Sequence, residues 1–301
     1  MEKDLVIGAA SGYNWDKLKY WVNSIKRTGF SGDVIVVATD ISGDTVRTLV
    51  QKGVLVYGYD EPTKDGGFER EGNSKMAPHT ERFFYIWNHL QENPDKYRYV
   101  ITTDTRDVIF QTNPSEYLSS NQLSDASWMD GTGMLAATEG LKYDHEPWGR
   151  QNFKEGYGPF FYDMIMKDRV IANVGVIAGF SKYIQDFLLM LFQMTLHRPS
   201  RIIDQAAYNF LLSMEPYRSS TAFCSGNIPW AAQLGTTEKA VEAGAGDLGR
   251  NPEGYNRNYL DPQPIIEGHE VYTGNYEKYC IVHQYDRIPL LKKEIEDRYG
   301  I

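Results

Sequence analysis

The stretch Tyr99-Val-Ile-Thr-Thr-Asp104-Thr-Arg-Asp107-Val-Ile-Phe-Gln111 sets two carboxylates between apolar runs. The first run reads as a buried strand that ends at Asp104. Carboxylates in such surroundings are costly to bury unless a cation, several hydrogen bonds or a metal compensates them. At the end of a central strand of an α/β sheet, the pair lies where these sheets bind ligands. Hard oxygen ligands suit a divalent cation that bridges protein to a diphosphate. Such a cation acts as a Lewis acid on a leaving diphosphate. An enzyme handling an anionic, metal-linked substrate is the leading expectation. The plainer alternative is that one Asp caps the following turn and the other pairs with Arg106.

The elements that must position this pair follow from periodicity. Residues 5–9 form a short apolar strand, and Gly12-Tyr13-Asn14 turns the chain. Residues 15–28 have helical spacing, with Leu18, Trp21, Val22 and Ile25 on one face, and Gly29 and Gly32 end them. A β-branched strand at 33–38, a helix at 44–52 stopped by Gly53, and a third strand at 54–57 follow. This alternation implies a parallel sheet with right-handed crossovers. Residues 61–74 are polar and Gly-rich and read as a loop. A helix at 79–91, the fourth strand at 99–103 and a short helix at 115–118 come next. Farther on, the pattern gives a strand at 134–138 and an aromatic, Gly-rich loop at 143–160. A strand at 170–180 is interrupted by Asn173 and Gly175, and helices follow at 182–197 and 200–213. Residues 221–274 read mostly as loop, 279–283 as a last short strand and 290–298 as a closing helix. There is no repeat and no inter-domain linker, so the expected organisation is one α/β domain over residues 1–301.

Residues 1–118 give three β-α steps, a further helix and a strand ending in an acidic motif. This resembles the GT-A fold of nucleotide-sugar glycosyltransferases, a Rossmann-like, mostly parallel sheet flanked by helices. The resemblance is to the broad glycogenin-like group with its viral, bacterial and plant relatives, and it covers most of the chain. In that family a DxD motif holds Mn²⁺ or Mg²⁺ against the donor diphosphate. The resemblance therefore implies metal ligation at Asp104 and Asp107. It also implies a nucleotide-binding half at 1–118, and an acceptor-binding half with a C-terminal extension at 119–301. The motif here is D-T-R-D, with the carboxylates three apart rather than two. Either Asp107 is the main ligand and Asp104 supports the nucleoside, or both hold the metal through a bulged turn.

Three further segments carry the resemblance. Asn173-Val-Gly175-Val-Ile-Ala-Gly179 is similar to a family segment that lines the donor-sugar pocket. Gly lets backbone approach a ligand closely, and Asn both donates and accepts. A bulged strand that needs Gly is the alternative. Ile203-Asp204-Gln205 is similar to a family helix start, which implies sugar contacts for both polar residues and a place for Asp204 near the reacting carbon. An acidic residue there also stabilises a helix N-terminus. Ile281-Val-His283 matches the late His that completes the family's metal site. Imidazole can join carboxylates on Mn²⁺, and it must be neutral to do so, so affinity falls at acid pH. Taken alone, His283 reads as an ordinary partly buried residue.

By position in the family, Ala10 and Tyr13 follow the first strand where the base is received, with Tyr13 stacking on it. The glycine spacing there is not a dinucleotide fingerprint. Lys75 and Arg82 precede the acidic strand and would meet diphosphate or sugar, Arg82 through bidentate contacts. A surface salt bridge is the alternative for Arg82. Trp148 and Trp230 would form an acceptor platform or pack in the core.

Composition narrows the partners. A net charge of −9 with no Lys/Arg run speaks against nucleic acid. A negative protein that binds a negative nucleotide needs a metal or a few placed cations. The 21 Tyr and 6 Trp suit sugar rings and nucleobases. Cys224 and Cys280 make neither a disulfide framework nor a metal-ligand spacing, which fits a reducing compartment. No signal-peptide hydrophobic region opens the chain. The longest apolar helix-like run, 187–196, is far short of the roughly 20 residues that span a bilayer. The expectation is a cytoplasmic protein (in the host cytoplasm if viral) with no membrane span.

The expected activity is transfer of a sugar from a nucleotide-diphosphate donor, UDP-linked, to a hydroxyl of a glycan, a glycoprotein or a small molecule. An inverting reaction needs a general base near the acceptor hydroxyl, with Asp204 as candidate. A retaining one needs no protein nucleophile. The alternatives are a metal-dependent phosphohydrolase using Asp104 as nucleophile, and a non-catalytic sugar- or nucleotide-binding protein of the same fold.

Overall fold

The computed structural model describes residues 2–70, 77–120, 123, 132–244 and 258–301. The first half runs β1 (Lys3–Ser11), α1 (Trp15–Arg27), β2 (Asp33–Thr39), α2 (Gly43–Gln51), β3 (Leu55–Gly58), β4 (Glu61–Pro62), β5 (Phe68–Glu69), α3 (Pro78–Glu92), β6 (Tyr97–Thr103), β7 (Val108–Phe110) and α4 (Pro114–Ser120). Next come β8 (Met134–Lys142), α5 (Pro147–Tyr157), the single turn α6 (Pro159–Phe161), β9 (Val170–Phe180), α7 (Ser181–Thr195) and α8 (Asp204–Leu211). The chain ends with β10 (Thr221–Cys224), β11 (Ala231–Gln233), α9 (Glu238–Glu242), β12 (Ile265–Glu267), β13 (Glu270–Tyr272), β14 (Ile281–His283) and α10 (Pro289–Tyr299).

Seven strands make the central sheet, in the order β10-β8-β9-β6-β1-β2-β3. Neighbours are parallel, except that β9 runs antiparallel to both β6 and β8. Alternation along the strands splits the core. Leu5, Ile7, Ile35 and Val37 pack with Phe83, Ile86 and Leu90 of α3 and with Leu188 and Leu191 of α7. Val6, Val36 and Ala38 pack with Leu18, Trp21, Val22 and Ile25 of α1. This is the expected α/β class, a mostly parallel sheet covered by helices and consistent with a Rossmann-like GT-A arrangement. The face of α1 is the one its periodicity gives, and the Asn14 side chain caps its start by accepting from Lys17 N.

Three expectations of loop are corrected. Within 61–74, β4 and β5 pair antiparallel. The Phe68 ring packs on Gly58, where a Cβ would stand 1.9 Å from it. Within 143–160 the chain is helical. Pro147 opens α5, and the Glu146 carboxylate accepts from Trp148 N and Gly149 N, satisfying two of the four free N–H groups of a helix start. Within 221–274, β10 extends the main sheet, and β11 joins a small sheet ordered β11-β14-β7. Among the described residues, no helix is long and apolar enough to cross a membrane.

Two local devices shape the chemistry. The first is a bulge in β9. Its pairing with β8 jumps from Ala136↔Ile177 to Thr138↔Ala172, so residues 173–176 face a single residue of β8. Bulges re-aim side chains in this way. The second is the small sheet, which brings β14 beside β7 with His283 opposite Val108.

Candidate functional site

The turn from Asp104 to Asp107 joins β6 of the main sheet to β7 of the small one. Four hydrogen bonds pin it, one of them from Tyr285 Oη to Arg106 O at 3.3 Å. Asp104 N donates to Gly175 O at 2.9 Å, Gln284 N to Asp107 O at 2.7 Å, and Thr105 Oγ1 to Ala9 O at 2.9 Å. Because β7 pairs with β14, Asp107 is adjacent to the residue opposite His283. The carboxylates then divide their oxygens. Asp104 accepts from Arg82 at Oδ1 and stands with Oδ2 3.4 Å from His283 Nε2. Asp107 holds Oδ2 3.3 Å from Arg106 and 3.9 Å from Arg287, with Oδ1 3.8 Å from the same Nε2. One oxygen of each carboxylate and one imidazole nitrogen thus converge, all within 4.8 Å of one another. The three-residue spacing is accommodated by the turn, and both carboxylates belong to the cluster.

The donor set of two carboxylates and one imidazole fits a divalent cation such as Mn²⁺. The electrostatics agree. Burial pushes the His283 pKa down, but the Asp104 hydrogen bond and the charges of Asp107 and Asp104 outweigh it and raise the pKa above the usual value. A positive charge is therefore favoured between these groups. Burial raises the Asp107 carboxyl, and Asp104 and Asp286 raise it further, beyond what His283 offsets. Asp104 is also penalised by burial, yet Arg82 and then His283 hold its carboxyl well below the usual range.

Gln233, on β11, orients the ring. His283 Nδ1 and Gln233 Oε1 are 2.7 Å apart, so Nδ1 carries the hydrogen and Nε2 is left facing the carboxylates. Both residues are buried. Gln233→Leu keeps the volume and removes the acceptor. It is expected to weaken Mn²⁺ binding by roughly 10- to 100-fold, the usual effect of losing such a partner, as read by metal titration.

Arg82 is not on the surface. Its guanidinium bridges Asp104 and Asp204, the latter at 3.2 Å, from an environment that leaves its side chain 12% exposed. Asp204 opens α8, where an anion is favourable. Burial, with the charge of Asp104 adding to it, raises its carboxyl despite Arg82. Arg82→Ala leaves two neighbouring carboxylates without their shared cation. Loss of one buried partner costs about 3–5 kcal/mol, and denaturant unfolding of the variant is expected to show a loss of that size.

Two clefts meet at this cluster, and Asp104, Asp204, His283, Gln284 and Arg287 line both. The first, about 320 Å³, lies beyond the C-terminal ends of β1 and β2 and is lined there by Ala10, Tyr13 and Thr39. The second, about 300 Å³, is lined by Asn173, Gly175 and Gln205, together with Glu139, Glu146 and Trp148. Asn173 Nδ2 and Gln205 Nε2 both donate to Glu139 Oε1, at 2.8 and 2.9 Å. Asn173 Oδ1 accepts from Gly175 N at 2.8 Å, which closes the bulge. Burial raises the Glu139 carboxyl, though both amides pull it down.

Ten of the eleven residues picked from the sequence thus gather around the two clefts. Lys75, the eleventh, lies outside the described residues. Trp148 faces the second cleft, whereas Trp230 is fully buried and packs against Tyr117 with ring centroids 5.0 Å apart, so Trp230 belongs to the core. Sequence reasoning missed Glu139, Gln233 and Arg287. Glu139 had one signal, an acid directly after the apolar run Met134-Leu-Ala-Ala137 and Thr138. Arg287 had another, a cation four residues after His283.

No protein-family model matches the chain, and no curated protein matches it. Among solved structures, a crystal structure of the galactosyltransferase LgtC in complex with donor and acceptor sugar analogs aligns with 93% of this chain and 86% of its own, at 13% identity and a TM-score of 0.49. At that level the likeness carries no weight for function.

Proposed function

We propose that this protein is a metal-dependent glycosyltransferase that takes a nucleotide-diphosphate sugar, UDP-linked, and passes the sugar to a hydroxyl of a glycan, glycoprotein or small molecule. One observation carries the reading: Asp104 Oδ2, Asp107 Oδ1 and His283 Nε2 converge where two clefts of different character meet. That junction suits a diphosphate, with a nucleoside in the first cleft and a sugar in the second. Mn²⁺ or Mg²⁺ held by the three would act as a Lewis acid that neutralises charge on the leaving diphosphate.

The remaining roles belong to the chain itself. Tyr13 offers a ring for the base, and Ala10 leaves room beside it. Arg106 and Arg287, on the rim of the cluster, would contact diphosphate oxygens. Asn173, Gln205 and Glu139 offer donors and acceptors for sugar hydroxyls, and Gly175 keeps the backbone low beneath them. Asp204, held by Arg82 where the clefts join, is the candidate base for an inverting reaction. The first cleft draws mostly on residues before 118 and the second mostly on later ones, which supports a nucleotide-binding and an acceptor-binding half.

Incubation with UDP-sugars and Mn²⁺ tests the reading through UDP release. Release is expected with metal and is expected to vanish with chelator. Orthophosphate released from simple monoesters would instead favour a phosphohydrolase. That rival is disfavoured because Arg82 and His283 already engage both oxygens of Asp104, its proposed nucleophile. Nucleotide-sugar binding with no turnover would favour the non-catalytic reading.

A further inference from the structure

The second cleft has an unusual charge balance. Glu139 and Glu146 both line it, and neither makes an ion pair among the described residues. Glu139 is satisfied by the neutral amides of Asn173 and Gln205. Glu146 is buried and held by the backbone N–H groups at the start of α5. The two carboxylates feel each other: burial, and next the charge of Glu139, push the Glu146 carboxyl up to about 7. Asp204 adds a third carboxylate, already shared with Arg82. Among the described residues, the only basic side chains lining this cleft, His283 and Arg287, stand at its junction with the first cleft. Both face carboxylates there: His283 faces Asp104 and Asp107, and Arg287 faces Asp107 and Asp286.

We infer that the second cleft selects an uncharged sugar ring and rejects donors whose sugar carries a carboxylate. The inference rests on the nucleotide-sugar reading and narrows it. A sugar hydroxyl both donates and accepts, so it can meet a carboxylate as donor and an amide as acceptor. Trp148, placed on this cleft by the Glu146 cap, adds an apolar face of the kind that suits a pyranose ring. A uronate brings an anion among carboxyls that burial already holds above their usual pKa, and a further charge placed there without a cation is disfavoured.

Binding measurements separate this inference from the reading beneath it. UDP and GDP are titrated first in the presence of Mn²⁺. If neither binds, the nucleotide-sugar reading fails and the inference falls with it. With the diphosphate that binds, a neutral conjugate is compared with its uronate: UDP-glucose with UDP-glucuronate, or GDP-mannose with GDP-mannuronate. The uronate is expected to bind about tenfold or more weakly than the neutral conjugate. Equal or tighter binding of the uronate overturns the inference while leaving the nucleotide site standing. Glu139→Gln keeps the shape and removes one charge, and the ratio between the two donors is expected to narrow. An unchanged ratio in a folded Glu139→Gln protein counts against the role of this carboxylate.

Discussion

Asp107→Asn is expected to leave the metal-free protein at least as stable as the wild type while removing most of its affinity for Mn²⁺. The two effects have opposite signs because the carboxylate is costly without a metal. Burial raises its pKa, and the neighbouring charges of Asp104 and Asp286 add to the rise. A carboxyl raised in the folded state favours the fold in acid, and that benefit is lost as pH climbs through the raised value. Asn carries no such charge. The stability advantage of the variant is therefore expected to be absent in acid and to appear as pH rises. Metal affinity moves the other way. Losing a partner that merely supports a ligand costs roughly 10- to 100-fold, and losing the ligand itself is expected to cost more. Thermal unfolding with and without Mn²⁺ reads both quantities, since a ligand that binds only the folded state raises stability in proportion to its binding. Wild-type Mn²⁺ affinity in the variant would remove Asp107 from the metal site. A loss of metal-free stability would instead favour the plainer alternative, in which Asp107 serves Arg106.

The sequence shows most clearly those parts whose structure is set locally. The α1 face of Leu18, Trp21, Val22 and Ile25 and the flanking β-branched strands are fixed by period and by turn residues, and they appear as expected. Helix α5 does not. Its Gly149, Phe153, Gly156 and Tyr157 are weak helix formers, and the helix depends on a buried cap and on tertiary contact between Phe153, Tyr157 and Phe210. The short β7 and β11 share this property, for three residues carry little pattern and gain meaning only by pairing with β14, which lies within the strand expected at 279–283. At the site, Asp104, Asp107 and His283 were visible by likeness to a family motif. Gln233 was not, because its role depends on a ring 50 positions away. Arg82 was visible as a cation but not as a buried bridge, since its partners Asp104 and Asp204 come from other elements.

Gly175 is where the structure changes the reason for a residue rather than its position. Its value in the sequence is close approach of backbone to ligand, and the second cleft keeps that possible. The tightest neighbour, however, is the metal-site imidazole. A Cβ on residue 175 would stand 2.2 Å from His283 Cε1 and 2.8 Å from both ring nitrogens. The ring cannot step aside cheaply. Gln233 holds Nδ1, two carboxylates face Nε2, and β14 is paired on both edges. Residue 175 is fixed as well, by Asn173 at its N–H and by Asp104 N at its carbonyl. Gly175→Ala is therefore expected to cost about 1–3 kcal/mol of stability, the range for overpacking a filled site, and to displace Nε2 enough to abolish the stabilisation that Mn²⁺ confers. A double-mutant cycle isolates the cause. His283→Ala removes the ring that the new methyl meets, so Gly175→Ala is expected to be nearly neutral in that background, leaving a coupling between the two positions close to the full cost of the clash. Additive losses would mean that the β9 bulge needs glycine for its own backbone. A coupled loss ties the bulge to the metal site, because the same absent side chain then makes room for the imidazole and opens the floor of the second cleft.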